Sequence, residues 1–216
     1  MEKSDTARVA SGGSKGSHRD QLRSLIAEYG SRHASEGELI ERFGRFVDDH
    51  PRCMDRELSV GHVTASAWVV DPLGGEVLLT HHRKLDIWVQ LGGHLDGDEG
   101  VVQGALREAR EESGLDSVEL VEPGRSSRST EPAASPWIFD LDIHTIPERR
   151  RSDGAVEAAH EHFDVRFAVR AAQRSFSVSD ESHDLAWVPV ADLERWTQEE
   201  SMLRMARKWL RATSAG

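Results

Sequence analysis

Three glutamates carry the chemistry for which this sequence is best suited. Glu108, Glu111 and Glu112 stand at positions i, i+3 and i+4, so a helix would project all three carboxylates toward one side. Like charges at this spacing repel one another. A hard divalent cation such as Mg²⁺ takes oxygen ligands and would remove that repulsion. Taken without its context, the triplet is more typical of a solvated acidic helix face, partly neutralised by Arg107 and Arg110.

The segment around the glutamates predicts a turn that leads into a helix. Gly92 and Gly93 favour the turn, and Asp96 or Asp98 is the predicted N-cap. Gly114 is the predicted C′ residue, because glycine adopts a positive φ without strain. The apolar stripe of the helix recurs at three- and four-residue spacing at Val102, Ala105, Leu106 and Ala109.

The run from Gly93 to Leu115, GHLDGDEGVVQGALREAREESGL, resembles the Nudix box. Glu99 follows Gly93 after five residues, and the hexapeptide REAREE follows after a further seven. Ala109 stands where that family usually carries a larger aliphatic residue. The resemblance implies an α/β fold, a Nudix-like α/β/α sandwich with a mixed β-sheet. It also implies divalent-metal-dependent hydrolysis of the diphosphate linkage in a nucleoside diphosphate derivative or a nucleoside triphosphate.

The resemblance assigns roles to individual positions. It implies Mg²⁺ or Mn²⁺ as the cofactor, with a metal-ligand set of Gly92 (through its backbone carbonyl), Glu108, Glu111 and Glu112. Arg107 would orient the carboxylates by salt bridges, and Glu99 would brace the loop. A proton from the attacking water would pass to Glu111 or Glu181. The implied catalytic set is Arg107, Glu111, Glu112 and Glu181.

Two other functions fit the same resemblance. The main alternative is a non-catalytic Nudix-fold sensor that binds a nucleotide and regulates a partner. An eroded box would favour this sensor, whereas the box here is intact. The second is diphosphate isomerisation of the isoprenoid kind, in a similar family that uses a cysteine for acid–base work. The only cysteine here, Cys53, precedes the predicted core sheet.

Length and charge restrict the partners of the chain. Its 216 residues include 38 acidic and 27 basic ones, for a formal charge of −11, which disfavours extended nucleic acid because such a footprint needs a basic face. The sequence shows no apolar run of transmembrane length and no signal-like core, so no membrane partner is expected. One cysteine permits no intramolecular disulfide, which fits a cytoplasmic protein. The expected partner is a small-molecule nucleotide.

Patterning divides the chain into three parts. Residues 1–19 are rich in Ser, Gly and Lys and predict a disordered, dispensable leader. Residues 20–52 predict helices at 20–30 and 36–49, which would pack on the core or form a homodimer. Residues 53–216 predict the Nudix domain, including a mobile loop at 122–136 and a short helix capped by Asp192. Its predicted strands lie at 62–70, 76–82, 87–91, 118–121, 137–146, 161–170 and 185–188, before a last helix at 198–212.

Two late strands carry an unusual polar face. Period-two alternation places Asp140, Asp142 and His144 on one face of the first strand, and the second strand repeats the pattern with His160, His162, Asp164 and Arg166. Strands that pair with matching pleats would share one polar face. Such a face fits an ordinary amphipathic sheet, a substrate pocket or a second metal site. The predicted substrate-binding residues are His144, His162, Asp164 and Arg166.

Further candidates lie outside these strands. A terminal phosphate could be contacted by one arginine of the basic patch Arg149, Arg150 and Arg151, although most such patches are simply solvated. A nucleotide base could stack on one of three aromatic residues, each of which is also a candidate for the core: Trp88, Trp137 and Phe139.

Overall fold

A computed structural model describes residues 15–83, 85–96, 99–124, 136–150, 154, 156–180 and 182–214, with side chains from His18 onward. Residues 1–14 of the predicted leader and residues 125–135 of the predicted mobile loop lie outside the described residues. The first helix begins at Lys15, five residues before the predicted boundary at Asp20, and a disordered, dispensable leader stays a prediction. The helical turn before Asp20 contacts the loop that precedes α3, because His18 lies beside Gly100.

The described residues form four α-helices and ten strands. The helices are α1 (Lys15–Arg32), α2 (Gly37–Asp49), α3 (Val101–Ser113) and α4 (Glu200–Ser214), with 3₁₀ turns at Ala34–Glu36 and Val190–Arg195. The strands are β1 (Gly61–Val70), β2 (Glu76–His82), β3 (Ile87–Val89), β4 (Leu91–His94), β5 (Val118–Leu120), β6 (Asp140–Ile146), β7 (Arg149–Arg150), β8 (Val156–Glu157), β9 (His160–Ala171) and β10 (Ser182–Pro189). None of these helices is both long and apolar enough to cross a membrane.

Eight of the strands build one mixed sheet, which confirms the predicted architecture. The main path runs β10-β2-β1-β9-β5, while β3, β4 and β6 pair with β2, β1 and β9 respectively. Strands β1 and β9 are parallel neighbours at its centre, and the other pairings are antiparallel. Every residue of β1 is buried, as expected for a central strand that is covered on both faces. Strands β7 and β8 form a separate hairpin.

Helices cover both faces of this sheet and complete the α/β/α sandwich. On one face, Ala65 and Val165 belong to a core cluster that includes residues of α1, α2 and α3. On the other face, Trp68 and Ala168 belong to a second cluster with residues of α4, among them Trp209. Side chains alternate across a strand, so neighbouring residues of β1 and β9 supply the two opposite layers.

The N-terminal helical pair packs on the core. Leu22 and Tyr29 of α1 are fully buried, and Phe46 of α2 stacks on Phe163 of β9 with 3.7 Å between ring centroids. Lys208 of α4 donates a hydrogen bond to the Tyr29 hydroxyl at 2.6 Å, so α1 also reaches the helix of the opposite layer. Of the two roles predicted for this pair, the structure shows packing on the core, and a homodimer stays a prediction.

Helix α3 ends as predicted but begins differently. Gly114 has a φ of 65°, and its backbone N–H donates to the carbonyl of Arg110 at 2.7 Å, which confirms the predicted C-terminal glycine. The N-cap is Gly100, without a side-chain cap, so the prediction of Asp96 is wrong, and Asp98 lies outside the described residues. The Asp96 backbone N–H instead donates to the Glu99 carboxylate at 3.3 Å, which folds the loop before the helix starts.

The 3₁₀ turn Val190–Arg195 also begins earlier than predicted. It follows Pro189 directly and has no side-chain cap, so Asp192 lies within its first turn rather than at its N-cap. Proline can occupy this position because the first backbone N–H groups of a helical turn have no intrahelical partner.

Candidate active site

The connection from β4 to α3 opens onto a cavity of about 380 Å³. Strand β4 pairs with β1 from Leu91 to His94, and α3 packs across both strands. The cavity is lined by Arg56, Gly92, Gly93, His94, Asp96, Arg107, Glu108, Glu111, Glu112 and Ser179. All four positions of the predicted metal-ligand set therefore meet at one place.

Two glycines allow β4 to approach its neighbours closely. A Cβ atom on Gly93 would lie 2.5 Å from the Glu108 Oε1 atom, and one on Gly92 would lie 2.6 Å from the Ser66 Cα atom. At Gly92 a side chain would collide with the backbone of β1, and at Gly93 it would displace the end of the Glu108 side chain. The backbone N–H of Gly92 donates to Glu112 Oε2 at 3.3 Å. The glycine pair thus brings the strand backbone against the carboxylates of α3.

Arg107 holds the acidic side chains of the cavity in place. Its Nε atom donates to both Glu99 carboxylate oxygens at 3.2 Å. Its Nη1 atom donates to Glu108 at 3.0 Å and to Glu111 at 2.8 Å, and its Nη2 atom donates to the His94 carbonyl at 2.8 Å. The hydrogen bond with Glu99 is the main reason that the pKa of Arg107 lies above its ordinary value. The guanidinium is therefore charged at any physiological pH.

The residues around the cavity fit a hard divalent cation. Two arginines line it against four carboxylates, those of Asp96, Glu108, Glu111 and Glu112, so negative charge is in excess. Glu112 is only 8% exposed, and a carboxylate in such a position needs a cation or hydrogen-bond donors nearby. Oxygen ligands of this kind suit Mg²⁺ or Mn²⁺ rather than softer metals.

Comparison with known proteins agrees with this geometry. A family model described as the NUDIX domain matches residues 60–209. The chain belongs to the Nudix family. It is accordingly a Nudix-type pyrophosphohydrolase. The match begins just before β1 and ends within α4, so helices α1 and α2 lie outside it. A search among curated proteins finds no significant match.

Solved Nudix structures resemble the chain at low sequence identity. A NUDIX-family hydrolase from Clostridium perfringens is 26% identical with a TM-score of 0.48, and the alignment covers 69% of this chain and 97% of that one. A MutT protein from Methanosarcina mazei Go1 is 17% identical with a TM-score of 0.49, covering 71% and 96%. A C. elegans Ap4A hydrolase is 17% identical with a TM-score of 0.45, covering 71% and 98%.

Outside the Nudix box, the two polar strands pair in the predicted register. In the antiparallel pair β6–β9, His144 stands opposite His162, Asp142 opposite Asp164, and Asp140 opposite Arg166. The prediction of one shared polar face is confirmed. The two ends of this face differ, however. The side chain of His144 is 42% exposed, whereas Asp164 and Arg166 are each only 2% exposed.

The buried end of this face is an ion network closed by α4. Arg166 contacts Asp140, Asp142 and Asp164 at 2.7–3.2 Å. Arg204 donates to Asp140 and Asp142, and Lys208 donates to Asp140 at 2.7 Å. Three carboxylates thus face three cations. These polar side chains bind the sheet to α4. Substrate contact by Asp164 and Arg166 therefore stays a prediction that the geometry does not support.

Asp164 also connects the network to the strand behind the cavity. Its Oδ1 atom accepts hydrogen bonds from Thr64 at 2.9 Å and from Ser66 at 2.8 Å. Ser66 is the residue of β1 that pairs with Gly92. The buried carboxylate therefore helps to hold β1 where β4 and its glycines must approach it.

A cluster of histidines lies at the end of the polar face where His144 is exposed. The cluster contains His62, His94, His160 and His162. Five pairs of these rings have centroids 4.7–5.2 Å apart. Burial, followed by repulsion from the neighbouring histidines, lowers the pKa of His62 to about 4 and that of His162 to about 2. Burial, followed by the charge of Arg56, also lowers the pKa of His94. The imidazoles of His62, His94 and His162 are therefore neutral at pH 7.

Several other candidates have structural contacts of their own. Phe139 is buried between Trp68 and Trp209, and Trp137 lies under Arg32 with 4.9 Å from the Arg32 Cζ atom to the ring centroid. Trp88 stacks on His81 and meets Trp196 edge-on. Of these three aromatic candidates, Phe139 is a core residue, and base stacking by Trp88 or Trp137 stays a prediction.

The arginine patch is likewise engaged. Arg149 donates to Glu157 at 2.9 Å, and Arg150 donates to the carbonyl of Gly154 at 3.3 Å. Arg151 and Glu181 lie outside the described residues. Glu181 therefore stays a predicted base without a described position, although its neighbour in sequence, Ser179, lines the cavity.

Sequence reasoning missed four residues that the structure brings to this region. Arg56 and Ser179 line the cavity, but they come from loops whose path no local pattern reveals. His62 and His94 join the histidine cluster from β1 and β4. The position of His94 could have been inferred from the sequence, because it directly follows the glycine pair, and the glycine pair belongs to a strand close to the centre of the sheet.

Proposed function

We propose that the chain hydrolyses the diphosphate linkage of a nucleoside diphosphate derivative or a nucleoside triphosphate, with Mg²⁺ or Mn²⁺ as cofactor. One observation carries this proposal. Glu108, Glu111 and Glu112 line a single cavity with Gly92, where negative charge exceeds positive charge. A diphosphate cannot enter such a cavity without cations, since its own charge is negative.

The metal-ligand set of this proposal is Glu108, Glu111 and Glu112 with the Gly92 carbonyl. Arg107 positions Glu108 and Glu111 through hydrogen bonds from one nitrogen atom, and the Gly92 N–H positions Glu112. A divalent ion held by these residues would supply charge neutralisation for the diphosphate and would lower the pKa of a bound water. The chain itself supplies fixed carboxylates, so little reorganisation is needed during the reaction.

Glu111 is the proposed general base among the described residues. Its side chain is 61% exposed, which is far more than the 14% of Glu108, so water can reach it. Its carboxylate accepts a hydrogen bond from Arg107 at 2.8 Å, which fixes its direction. A base must lie within hydrogen-bond reach of the proton that it accepts. Glu181 is the second candidate for this role.

A substrate screen tests the proposal. The protein is incubated with ADP-ribose, nucleotide sugars, dinucleoside polyphosphates and nucleoside triphosphates, each with Mg²⁺, with Mn²⁺ or with EDTA. A coupled phosphatase reports the phosphate ester formed. We expect turnover of at least one compound with a metal and none with EDTA. Turnover that persists in EDTA would contradict the metal requirement. Tight binding without turnover of any compound would favour a nucleotide sensor instead.

A further inference from the structure

Three histidines from three strands converge where β1 and β9 begin and β4 ends. His62, His94 and His162 each offer a ring nitrogen, and these three nitrogen atoms all lie within 4.8 Å of one another. His62 pairs with His162 across the parallel strands, while His94 stands beside Thr64 on the other side of β1. Sheet pairing therefore fixes the backbone of all three residues.

Three of the six ring nitrogens in this group lack hydrogen-bond partners among the described residues. Among the described residues, no hydrogen-bond partner is found for either ring nitrogen of His62 or for the Nε2 atom of His162. His62 is only 3% exposed. Buried polar atoms of folded proteins are nearly always satisfied, so these three unpaired nitrogens indicate a ligand that completes the site.

We propose that His62, His94 and His162 form a second metal site, which binds a borderline transition-metal ion and takes Zn²⁺ in preference to Mg²⁺ or Mn²⁺. Imidazole nitrogen suits Zn²⁺, Ni²⁺ and Cu²⁺, whereas Mg²⁺ and Mn²⁺ favour oxygen. Three histidines leave the fourth position of a tetrahedral zinc ion open to water. Only neutral imidazole binds a metal, and burial keeps His62 and His162 neutral at pH 7.

The ring nitrogens of this site and the carboxylates of the cavity lie on opposite faces of β4, and His94, which also lines the cavity, adjoins both. Successive side chains of a strand point to opposite faces. A Cβ atom on Gly93 would meet Glu108, whereas the next residue, His94, turns its ring toward His62 and His162. The two sites thus use different atoms, and neither metal would need the ligands of the other.

His160 supports the three ligands without belonging to the set. Its Nδ1 atom lies 3.0 Å from the carbonyl of Ala158, and its ring stacks on His62 with 5.1 Å between centroids. Its Nε2 atom lies 3.8 Å from Glu157.

A bound ion would tie together three strand ends beside the active site. Metal ligation that exists only in the folded state stabilises that state. The ion would also fix the end of β4, which carries Gly92 and Gly93. This inference does not depend on the proposed hydrolysis, because metal binding is read directly rather than through activity.

Cobalt substitution tests the site. The full-length protein is stripped of metal, supplied with excess Mg²⁺ to fill the carboxylate cavity, and titrated with Co²⁺ while visible absorption is recorded. We expect a band that saturates at one equivalent of Co²⁺ and is displaced by Zn²⁺. His162→Gln and His94→Gln should each abolish this band or weaken Co²⁺ binding at least tenfold. His50→Gln, at a histidine outside the cluster, should leave it unchanged.

Three results would overturn the proposal: no saturable band in the wild-type protein, a band unaffected by both cluster variants, or a band lost in Glu108→Gln. Circular dichroism first establishes that each variant is folded. His94 is more exposed than the buried His62, so His94→Gln decides the matter if His162→Gln does not fold. An unaltered band in folded His94→Gln would then reject the site.

Discussion

Arg107 donates a hydrogen bond from Nη2 to the backbone carbonyl of His94, at 2.8 Å. The bond joins α3 to the last residue of β4. The same guanidinium holds Glu99, Glu108 and Glu111. Two carboxylates of the cavity, those of Glu108 and Glu111, and the strand that faces them are therefore positioned by one side chain, and their relative placement depends on its planar, forked shape.

Arg107→Lys tests that dependence. Lysine retains the positive charge but cannot make the forked contacts that a guanidinium makes. We expect kcat to fall roughly ten- to a hundredfold, as for loss of other residues that orient metal ligands, and we expect the Mg²⁺ concentration for half-maximal rate to rise. Steady-state kinetics over a Mg²⁺ series measures both quantities.

Arg110→Lys is the matched control for this change. Arg110 lies on the same helix but donates to the backbone carbonyls of Leu106 and Val118. The rate should therefore stay within about twofold of wild type, since surface substitutions of this kind have small effects. Equal loss of activity in both variants would indicate a general effect of helix charge rather than positioning by Arg107.

The buried network predicts a pH-dependent stability that Asp142→Asn would reveal. Burial raises the pKa of Asp142, but the hydrogen bond from His144 and the charges of Arg166 and Arg204 outweigh burial and lower it. Asparagine removes the negative charge from the contacts with His144, Arg166 and Arg204, so we expect a loss of about 1–3 kcal/mol in the free energy of unfolding at pH 7. Chemical denaturation measures this loss.

The sign of the pH effect follows from that lowered pKa. An aspartate ionises near pH 4 in the unfolded chain, so the stabilisation by Asp142 is complete above that pH and is lost as pH falls toward the folded value. The melting-temperature gap between wild type and Asp142→Asn should therefore narrow below about pH 4. A gap that stays constant from pH 7 to pH 3 would contradict the lowered pKa. Asp192→Asn changes an aspartate whose side chain is 48% exposed. Its melting temperature should stay close to that of wild type at every pH.

His144→Ala tests whether the open end of the polar face meets the substrate. The side chain is 42% exposed and bonded to Asp142, so its removal should barely change the melting temperature. Contact with substrate predicts a loss in kcat/KM worth roughly 1–3 kcal/mol. An unaltered kcat/KM would remove His144 from the substrate-binding set, and a large fall in melting temperature would assign it a structural role.

The start of α1 predicts that a chain shortened to begin at Asp20 loses stability. Such a chain lacks the first turn of α1 and its packing of His18 beside Gly100. We expect a melting temperature lower by a few degrees, in line with roughly 1 kcal/mol in a domain of this size. A chain that begins at Lys15 keeps the turn and is the control. Equal melting temperatures for the two chains would show that residues 15–19 contribute nothing.

The fold and the Nudix box could be predicted because their signals are local. The spacing of Glu108, Glu111 and Glu112 along a helix and the positive φ of Gly114 follow from short stretches of sequence. The polar faces of β6 and β9 could also be predicted, since period-two alternation fixes which side chains of a strand share a face. These parts of the sequence analysis needed no knowledge of distant contacts.

The burial of the polar face could not be predicted from the same pattern. Alternation shows that Asp164 and Arg166 share a face, but not that α4 covers it. Arg204 and Lys208 reach Asp140 from more than sixty residues away in sequence, and no local pattern distinguishes them from exposed cations of an amphipathic helix. The site of the histidines was missed for the same reason, because His62, His94 and His162 come from three separate strands.

The most direct test of the proposed function compares Glu112→Gln with Glu119→Gln under saturating Mg²⁺. Glu112 lines the cavity and is 8% exposed, whereas Glu119 lies on β5 with an exposed side chain and does not line the cavity. With the best substrate from the screen, we expect kcat of Glu112→Gln to fall on the order of a hundredfold or more, with Glu119→Gln like wild type. Wild-type kcat in folded Glu112→Gln would contradict metal-dependent hydrolysis by the α3 carboxylates.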